Sequence, residues 1–173
     1  MKLNAPLMGG RIVIRNYEAT DLDFLAEMWF DPENGKYMSD PTREYIDEAY
    51  QSILNTLQDS TDGYYLVVLL AETGERIGSA GIFPVDRNDY DIGYCVHKDR
   101  QRQGFGTEIV SLLLDWLSHA GTETVRAEVA VDNLPSNRLL QRFGFNVEKS
   151  SEFKKYNMDI RFSSYVYAKR LAD

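Results

Sequence analysis

The chain has 173 residues, 43% of them hydrophobic, and its 27 Asp and Glu against 19 Lys and Arg give a net charge of −8. That supplies enough apolar material for one domain around one substantial core, and the acidic balance argues against nucleic acid as a principal partner, because phosphate backbones are bound by clustered Lys and Arg. A single cysteine, Cys95, excludes an internal disulfide and a Cys-based zinc framework, and with only two histidines no metal site is expected.

The first residues, 1–6, hold no apolar signal core, and the longest apolar run, 64–71, is too short to cross a bilayer. A cytoplasmic protein with no membrane partner is expected. In chain order, residues 11–15 alternate as a first strand. Thr20-Asp21-Leu22-Asp23 opens a helix with capping-box character that runs through Leu25, Met28 and Trp29, and Pro32 and Gly35 end it. Asp40-Pro41 reads as an N-cap and a first-turn proline. The second helix that follows repeats Tyr45, Ala49, Ile53 and Leu57 every four residues as its core face.

Residues 64–71 form a continuous apolar strand, 72–75 a turn and 76–83 the returning strand of an antiparallel hairpin. Another strand covers 89–96. A helix from 104 to about 119 leads to a strand over 124–131, which can lie parallel to 89–96 through a right-handed connection. A short helix over 135–143 precedes strands at 145–149 and 161–171. The order βααβββαβαββ is that of a mixed α/β protein, and with no linker in the sequence one domain over 1–173 is expected. The aromatic-rich last strand, with Tyr165 and Tyr167, is a candidate sheet edge that pairs two copies into a homodimer.

The most informative segment is 95–107, Cys-Val-His-Lys-Asp-Arg-Gln-Arg-Gln-Gly-Phe-Gly-Thr, between a strand and an amphipathic helix. A helix beginning near Gly104 leaves its first N–H groups unpartnered, with dipoles that favour an anion. Gly104 and Gly106 lack Cβ and let a phosphate approach the backbone, while Arg100 and Arg102 add charge-assisted contacts. A Walker loop is disfavoured because Thr107-Glu108 follows Gly106 where Lys and Ser or Thr are needed. A dinucleotide fingerprint is disfavoured because Ile109 stands where its third glycine belongs.

A second segment follows the strand at 125–131: Asp132-Asn133-Leu134-Pro135-Ser136-Asn137, then Phe143-Gly144-Phe145. Together, Gln101-x-x-Gly104-x-Gly106 and Asn133-x-x-Ser136-Asn137 with Phe143-Gly144-Phe145 resemble the two acetyl-CoA signatures of the GNAT N-acetyltransferases. The resemblance covers nearly the whole chain and is closest to the branch of ribosomal-protein N-terminal acetyltransferases. It implies the GNAT fold, a central, mostly antiparallel sheet with one splayed parallel strand pair flanked by helices. It also implies acetyl-CoA as co-substrate and direct acetyl transfer to a primary amine, most naturally a protein or peptide N-terminus. Polyamines, aminoglycosides and other small amines are alternative acceptors, and a non-catalytic acyl-CoA-binding module is the alternative role.

By the same resemblance, acetyl-CoA is held by Gln101, Arg102, Gln103, Gly104, Phe105, Gly106 and Thr107 at the pyrophosphate. Backbone groups of Cys95 and Val96 face the thioester, and Asn133 and Asn137 meet the pantetheine arm. Asp91 stands where many GNAT enzymes place a general base, and its other reading is an exposed strand carboxylate. The tyrosine that often protonates the leaving thiolate is absent, because Leu140 occupies its place. Ser136 matches the residue that takes this role in the ribosomal-protein branch and reads equally as a helix-capping serine. Tyr156, Tyr165 and Tyr167 are further candidates. Cys95, with no activating partner at a suitable spacing, is read as a packing residue and not a nucleophile.

Overall fold

The computed structural model describes residues 1–171. Its strands are β1 (Leu7–Met8), β2 (Ile12–Asn16), β3 (Tyr64–Leu70), β4 (Arg76–Asp86), β5 (Asp89–Val96), β6 (Thr124–Ala130), β7 (Asn146–Lys154) and β8 (Arg161–Arg170). The helices are α1 (Leu22–Trp29), α2 (Glu48–Thr56), α3 (Phe105–His119) and α4 (Leu134–Arg142), joined in places by short 3-10 turns. One sheet runs β1-β2-β3-β4-β5-β6-β8-β7, antiparallel at every junction except β5 with β6. The mixed sheet with one parallel pair is thus the one expected, extended by a two-residue β1.

The sheet is covered on both faces. On one, α3 lays Phe105, Ile109, Val110, Leu113 and Leu117 onto Ile12, Ile14, Ile77, Ile82 and Val125, and Leu139 and Leu140 of α4 join the same cluster. The i, i+4, i+8 spacing of that α3 stripe is what its sequence period demands. On the other face α1 and α2 bring Leu25, Met28, Tyr50 and Leu54 against Val67. Where α1 begins, the Asp21 carboxylate is fully buried and accepts hydrogen bonds from Arg15 at 2.7 and 2.9 Å and from Arg76 at 2.6 Å. Burial opposes its charge, but the two arginines prevail and hold its pKa below the ordinary carboxylate range.

Three expectations are corrected. Helix α2 does not start at Asp40: its N-cap is Asp47, whose Oδ1 accepts from the Tyr50 N–H at 2.8 Å. Its buried face is Tyr50, Leu54 and Leu57, while Tyr45, Ala49 and Ile53 are exposed. Both stripes satisfy helical spacing, and only the partner face, supplied by α1, selects between them. The last strand, β8, is no edge, because β7 lies outside it in the sheet; pairing of two copies through an exposed β8 is therefore ruled out. The strand expected at 145–149 in fact continues to Lys154, since β8 offers it a full-length partner.

Candidate active site

The parallel strands β5 and β6 are paired only at their starts, Asp89 with Thr124, Tyr90 with Val125 and Asp91 with Arg126, and beyond that they part. Which backbone groups face the resulting gap follows from the antiparallel register of β4 and β5. The His97 N–H donates to the Ile77 carbonyl at 2.8 Å, and in the same register Cys95 opposes Ser79 and Gly93 opposes Gly81. Alternate residues of a strand send their N–H and C=O to opposite neighbours. The amides of Cys95 and Gly93 are therefore committed to β4, and those of Tyr94 and Val96 point into the gap. Of the two backbone groups expected to face a ligand, the amide of Val96 points into the gap and that of Cys95 does not, while the amide of Tyr94 does.

At the mouth of the gap the chain turns into α3. Arg102 and Gly104 both adopt positive φ, 59° and 85°, the left-handed conformation in which successive amides converge into an anion-binding concavity. Gly104 is also the N-cap of α3 and supplies no side-chain cap, so the first amides of the helix stay available. The turn is braced from β2: the Arg11 guanidinium pairs with Glu108 at 3.0 Å, donates to the Gln103 carbonyl at 3.0 Å and lies 4.6 Å over the Phe105 ring. Arg100 is tied to Glu75 by hydrogen bonds of 2.6 and 2.7 Å, so it is not the free cation the sequence suggested. Arg102 is exposed and, among the described residues, has no ion pair.

The other expected residues of this segment divide by what their side chains already do. The Gln101 amide donates to the Val96 carbonyl at 3.1 Å and that of Gln103 to the Asp99 carbonyl at 3.2 Å. The Phe105 side chain belongs to the core, leaving only its amide for a ligand. A Cβ on Gly106 would sit 3.3 Å from Leu139, so a glycine lets α3 close against α4 there. Thr107 accepts from Arg142 at 3.5 Å.

Helix α4 begins with Asn133 as N-cap, its Oδ1 accepting from the Ser136 N–H at 3.4 Å, and Pro135 occupies the first turn. Asn137 is buried, donates to the carbonyls of Ala130, Val131 and Asn133, and accepts from the Tyr167 hydroxyl at 2.8 Å. The donors and the oxygen of the Asn137 side chain, offered by the sequence as a ligand contact, are thus engaged within the fold. The Tyr167 and Tyr156 hydroxyls are likewise committed, to Asn137 and Asp47.

Asp91, Gly93 and Cys95 project to the face of α1 and α2, Ile92 and Tyr94 to that of α3 and α4. Burial pushes the Asp91 carboxyl up; Arg126 pulls it down, and Glu128 and Glu148 push it further up. Arg126 is already shared between Asp89 at 2.8 Å and Glu148 at 2.9 Å, which leaves Asp91 without a hydrogen-bonded cation. A groove of about 470 Å³ is lined by residues of β6, β7 and β8, among them Thr124, Arg126, Glu148 and Lys169. The Cys95 thiol is pushed up to about 12 by burial, the opposite of an activated nucleophile.

Two segments distant in sequence meet over this face. Lys155 is buried, and its ammonium donates to the carbonyls of Gly35, Met38 and Asp40 at 2.8, 2.9 and 2.9 Å. The Tyr156 N–H donates to the Ser39 carbonyl at 2.7 Å, and the Tyr50 hydroxyl to the Asp40 carboxyl. Burial raises the pKa of Asp40 and lowers that of Lys155. No motif marks these residues.

The Acetyltransferase (GNAT) domain family matches residues 11–146, a span that takes in the Gly104 turn, the opened strand pair and the start of α4. The chain belongs to the GNAT acetyltransferase family. It is an acetyl-CoA-dependent N-acetyltransferase, and the residues at the gap fit that co-substrate: converging amides for the phosphates and open-edge backbone groups for the arm. An uncharacterized N-acetyltransferase, p20, from Bacillus licheniformis is 29% identical over 143 residues, 80% of each chain. Among solved structures, a spermidine N-acetyltransferase from Vibrio cholerae in complex with CoA and spermine aligns with a TM-score of 0.78 at 17% identity, over 93% of this chain and 96% of that one. A ribosomal-protein-S5-alanine acetyltransferase from Vibrio fischeri aligns with a TM-score of 0.73 at 20% identity over 98% of each. For the acetyltransferase these likenesses carry the fold. No helix among its described residues is long and apolar enough to cross a membrane.

Proposed function

We propose that this acetyltransferase, acting as one cytoplasmic domain, transfers acetyl from acetyl-CoA to the N-terminal amine of a peptide or protein, by direct attack in a ternary complex. The observation that carries the reading is the strand pair that opens beyond Asp91 and Arg126 with an anion-binding turn at its mouth. Acetyl-CoA brings an activated thioester. The amides at 103–106 and the Arg102 guanidinium hold its phosphates, Asn133 and the backbone of Tyr94 and Val96 hold the arm, and an amide on that open edge faces the thioester oxygen as it gains charge. Asp91, on the α1 and α2 face, takes the proton of the attacking amine directly or through water, and Ser136 meets the departing sulfur from the α4 side.

An α-amine titrates near ~8 and a lysine-type amine near ~10.4, so an N-terminal acceptor presents far more neutral nucleophile at neutral pH and asks less of a carboxylate base. The likeness to the ribosomal-protein-S5-alanine acetyltransferase agrees with that choice. A polyamine acceptor is the second reading, favoured by the likeness to the spermidine enzyme and by the protein's net charge of −8. Release of free thiol from acetyl-CoA, measured with peptides bearing free N-termini, the same peptides blocked, spermidine and an aminoglycoside, decides between them. Free N-termini should give the highest kcat/KM. A larger value for spermidine would transfer the assignment to polyamines, and thiol release no faster with any amine than with buffer would overturn both.

A further inference from the structure

Three of the enclosed or half-enclosed phenols have their hydrogen spoken for. Tyr50 donates to Asp40, Tyr65 to Asp62 and Tyr167 to Asn137. Among the tyrosines of the described residues, Tyr94 alone has a hydroxyl oxygen that is fully enclosed and without a hydrogen-bond partner. A phenylalanine would fill the same space without stranding a polar group, so the hydroxyl is either an unrelieved burden or a donor waiting for a ligand atom.

Its position favours the second. Tyr94 lies on β5 beyond the last paired residue, Asp91, and its ring projects toward α3 and α4. Ser136, in the first turn of α4, stands beside the phenol closely enough to stabilise its anion, though not in hydrogen-bond alignment. The phenol on β5 and the Ser136 hydroxyl in the first turn of α4 thus lie on the α3 and α4 side of the strand pair, and Asp91 lies on the other. Leu140, the position at which the GNAT resemblance implies a tyrosine, is fully buried and apolar and donates nothing.

We propose that Tyr94 is a catalytic residue of the transfer, donating a hydrogen bond to the sulfur of acetyl-CoA as the thiolate departs, with Ser136 as its companion donor. The assignment rests on the acetyl-transfer reading above. As the tetrahedral intermediate collapses, the C–S bond breaks and its electron pair stays on sulfur. The C–N bond is retained, and the proton lost from nitrogen leaves through Asp91 or water. Tyr94 keeps its own proton, because burial raises its pKa and leaves it neutral across the working range. The thiolate is protonated from solvent on release.

The decisive measurement does not need turnover. CoA bound to the protein should show a thiol pKa below that of free CoA, followed by thiolate ultraviolet absorbance against pH, and Tyr94→Phe should raise it again. With acetyl-CoA and a reactive amine, Tyr94→Phe should lower kcat about 10-fold or more while acetyl-CoA affinity stays within about 2-fold. Its melting temperature should hold or rise, since an unpaired interior hydroxyl is removed. A bound-thiol titration identical in wild type and variant, or a variant whose only defect is weaker acetyl-CoA binding, overturns the assignment. Failure of wild type to turn over any amine would strike the acceptor reading alone, because the thiol titration still reports on Tyr94.

Discussion

The two sides of the opened strand pair are built in different ways. The side proposed for acetyl-CoA is local: residues 95–107 and 133–137 are two short stretches that carry the turn conformation, free amides and helix starts. The opposite face, proposed here for the acceptor, is assembled from far apart, with Lys155 gripping carbonyls of residues 115 to 120 positions away. A ligand common to a whole family is held by backbone geometry that a few glycines specify. On this reading the acceptor surface is a tertiary construction in which each residue is individually unremarkable, and it can change without disturbing the first.

Substitutions on either side test that separation. Lys155→Met leaves three buried carbonyls without their donor and should cost roughly 3 kcal/mol of stability. It should also raise the acceptor KM and leave acetyl-CoA binding as it was, read by a thermal melt, calorimetric titration and steady-state kinetics on one preparation. A matching loss of acetyl-CoA affinity would show that the sides are not independent. Asp91→Asn should reduce the rate about 100-fold at neutral pH and recover as pH rises and solvent supplies neutral amine. The stability sign is opposite. A carboxyl with raised folded pKa favours the fold below its unfolded pKa and forfeits that contribution as pH rises through the folded pKa. The Asn variant should therefore melt no lower than wild type at neutral pH. Superimposable pH–rate profiles would dismiss Asp91 as base.

On the acetyl-CoA side, Gly104→Glu puts a Cβ at φ 85° and a carboxylate where phosphate is expected, and should weaken acetyl-CoA binding about 10-fold or more. Gly121→Glu is the control, since Gly121 has φ 79° and open space around it at the turn between α3 and β6. Equal binding loss in both would assign the effect to strain alone. The smallest effect is expected for Ser136→Ala, which retains the Asn133 cap that holds its N–H. A fall in kcat with unchanged melting supports its place at the sulfur, whereas a stability loss of about 1 kcal/mol with unchanged rate reduces it to a helix-start residue.

The same division explains what could be read from the sequence. Gly104 at a helix entry is a signal contained in a few residues, and that helix begins where it was expected; at α4 the capping role read for Ser136 falls instead to Asn133, three residues earlier, whose Oδ1 accepts from the Ser136 N–H. The phase of α2 was not legible, because Tyr45-Ala49-Ile53 and Tyr50-Leu54 are equally periodic and the choice belongs to α1. Asn137 carries the residue type of a ligand contact, yet its donors go to carbonyls that only the folded chain brings together. Tyr94 was visible as a strand residue. That its amide faces the gap while that of Cys95 does not depends on the β4 register, and the alternation of β5 alone leaves that choice open.

The three register pairs that join β5 to β6 also make the sheet mechanically two plates, five strands on one side and three on the other, meeting along a short hinge. Helix α3 lies across both as a splint, since its apolar stripe touches residues of β2, β4 and β6 in one cluster. Any ligand that hydrogen-bonds to the rim residues acts as a stitch along the unzipped seam. Amide exchange should accordingly distinguish the two plates in the free protein and slow at Tyr94 and Val96 when the seam is bridged, so that the sheet becomes continuous only while the enzyme is loaded.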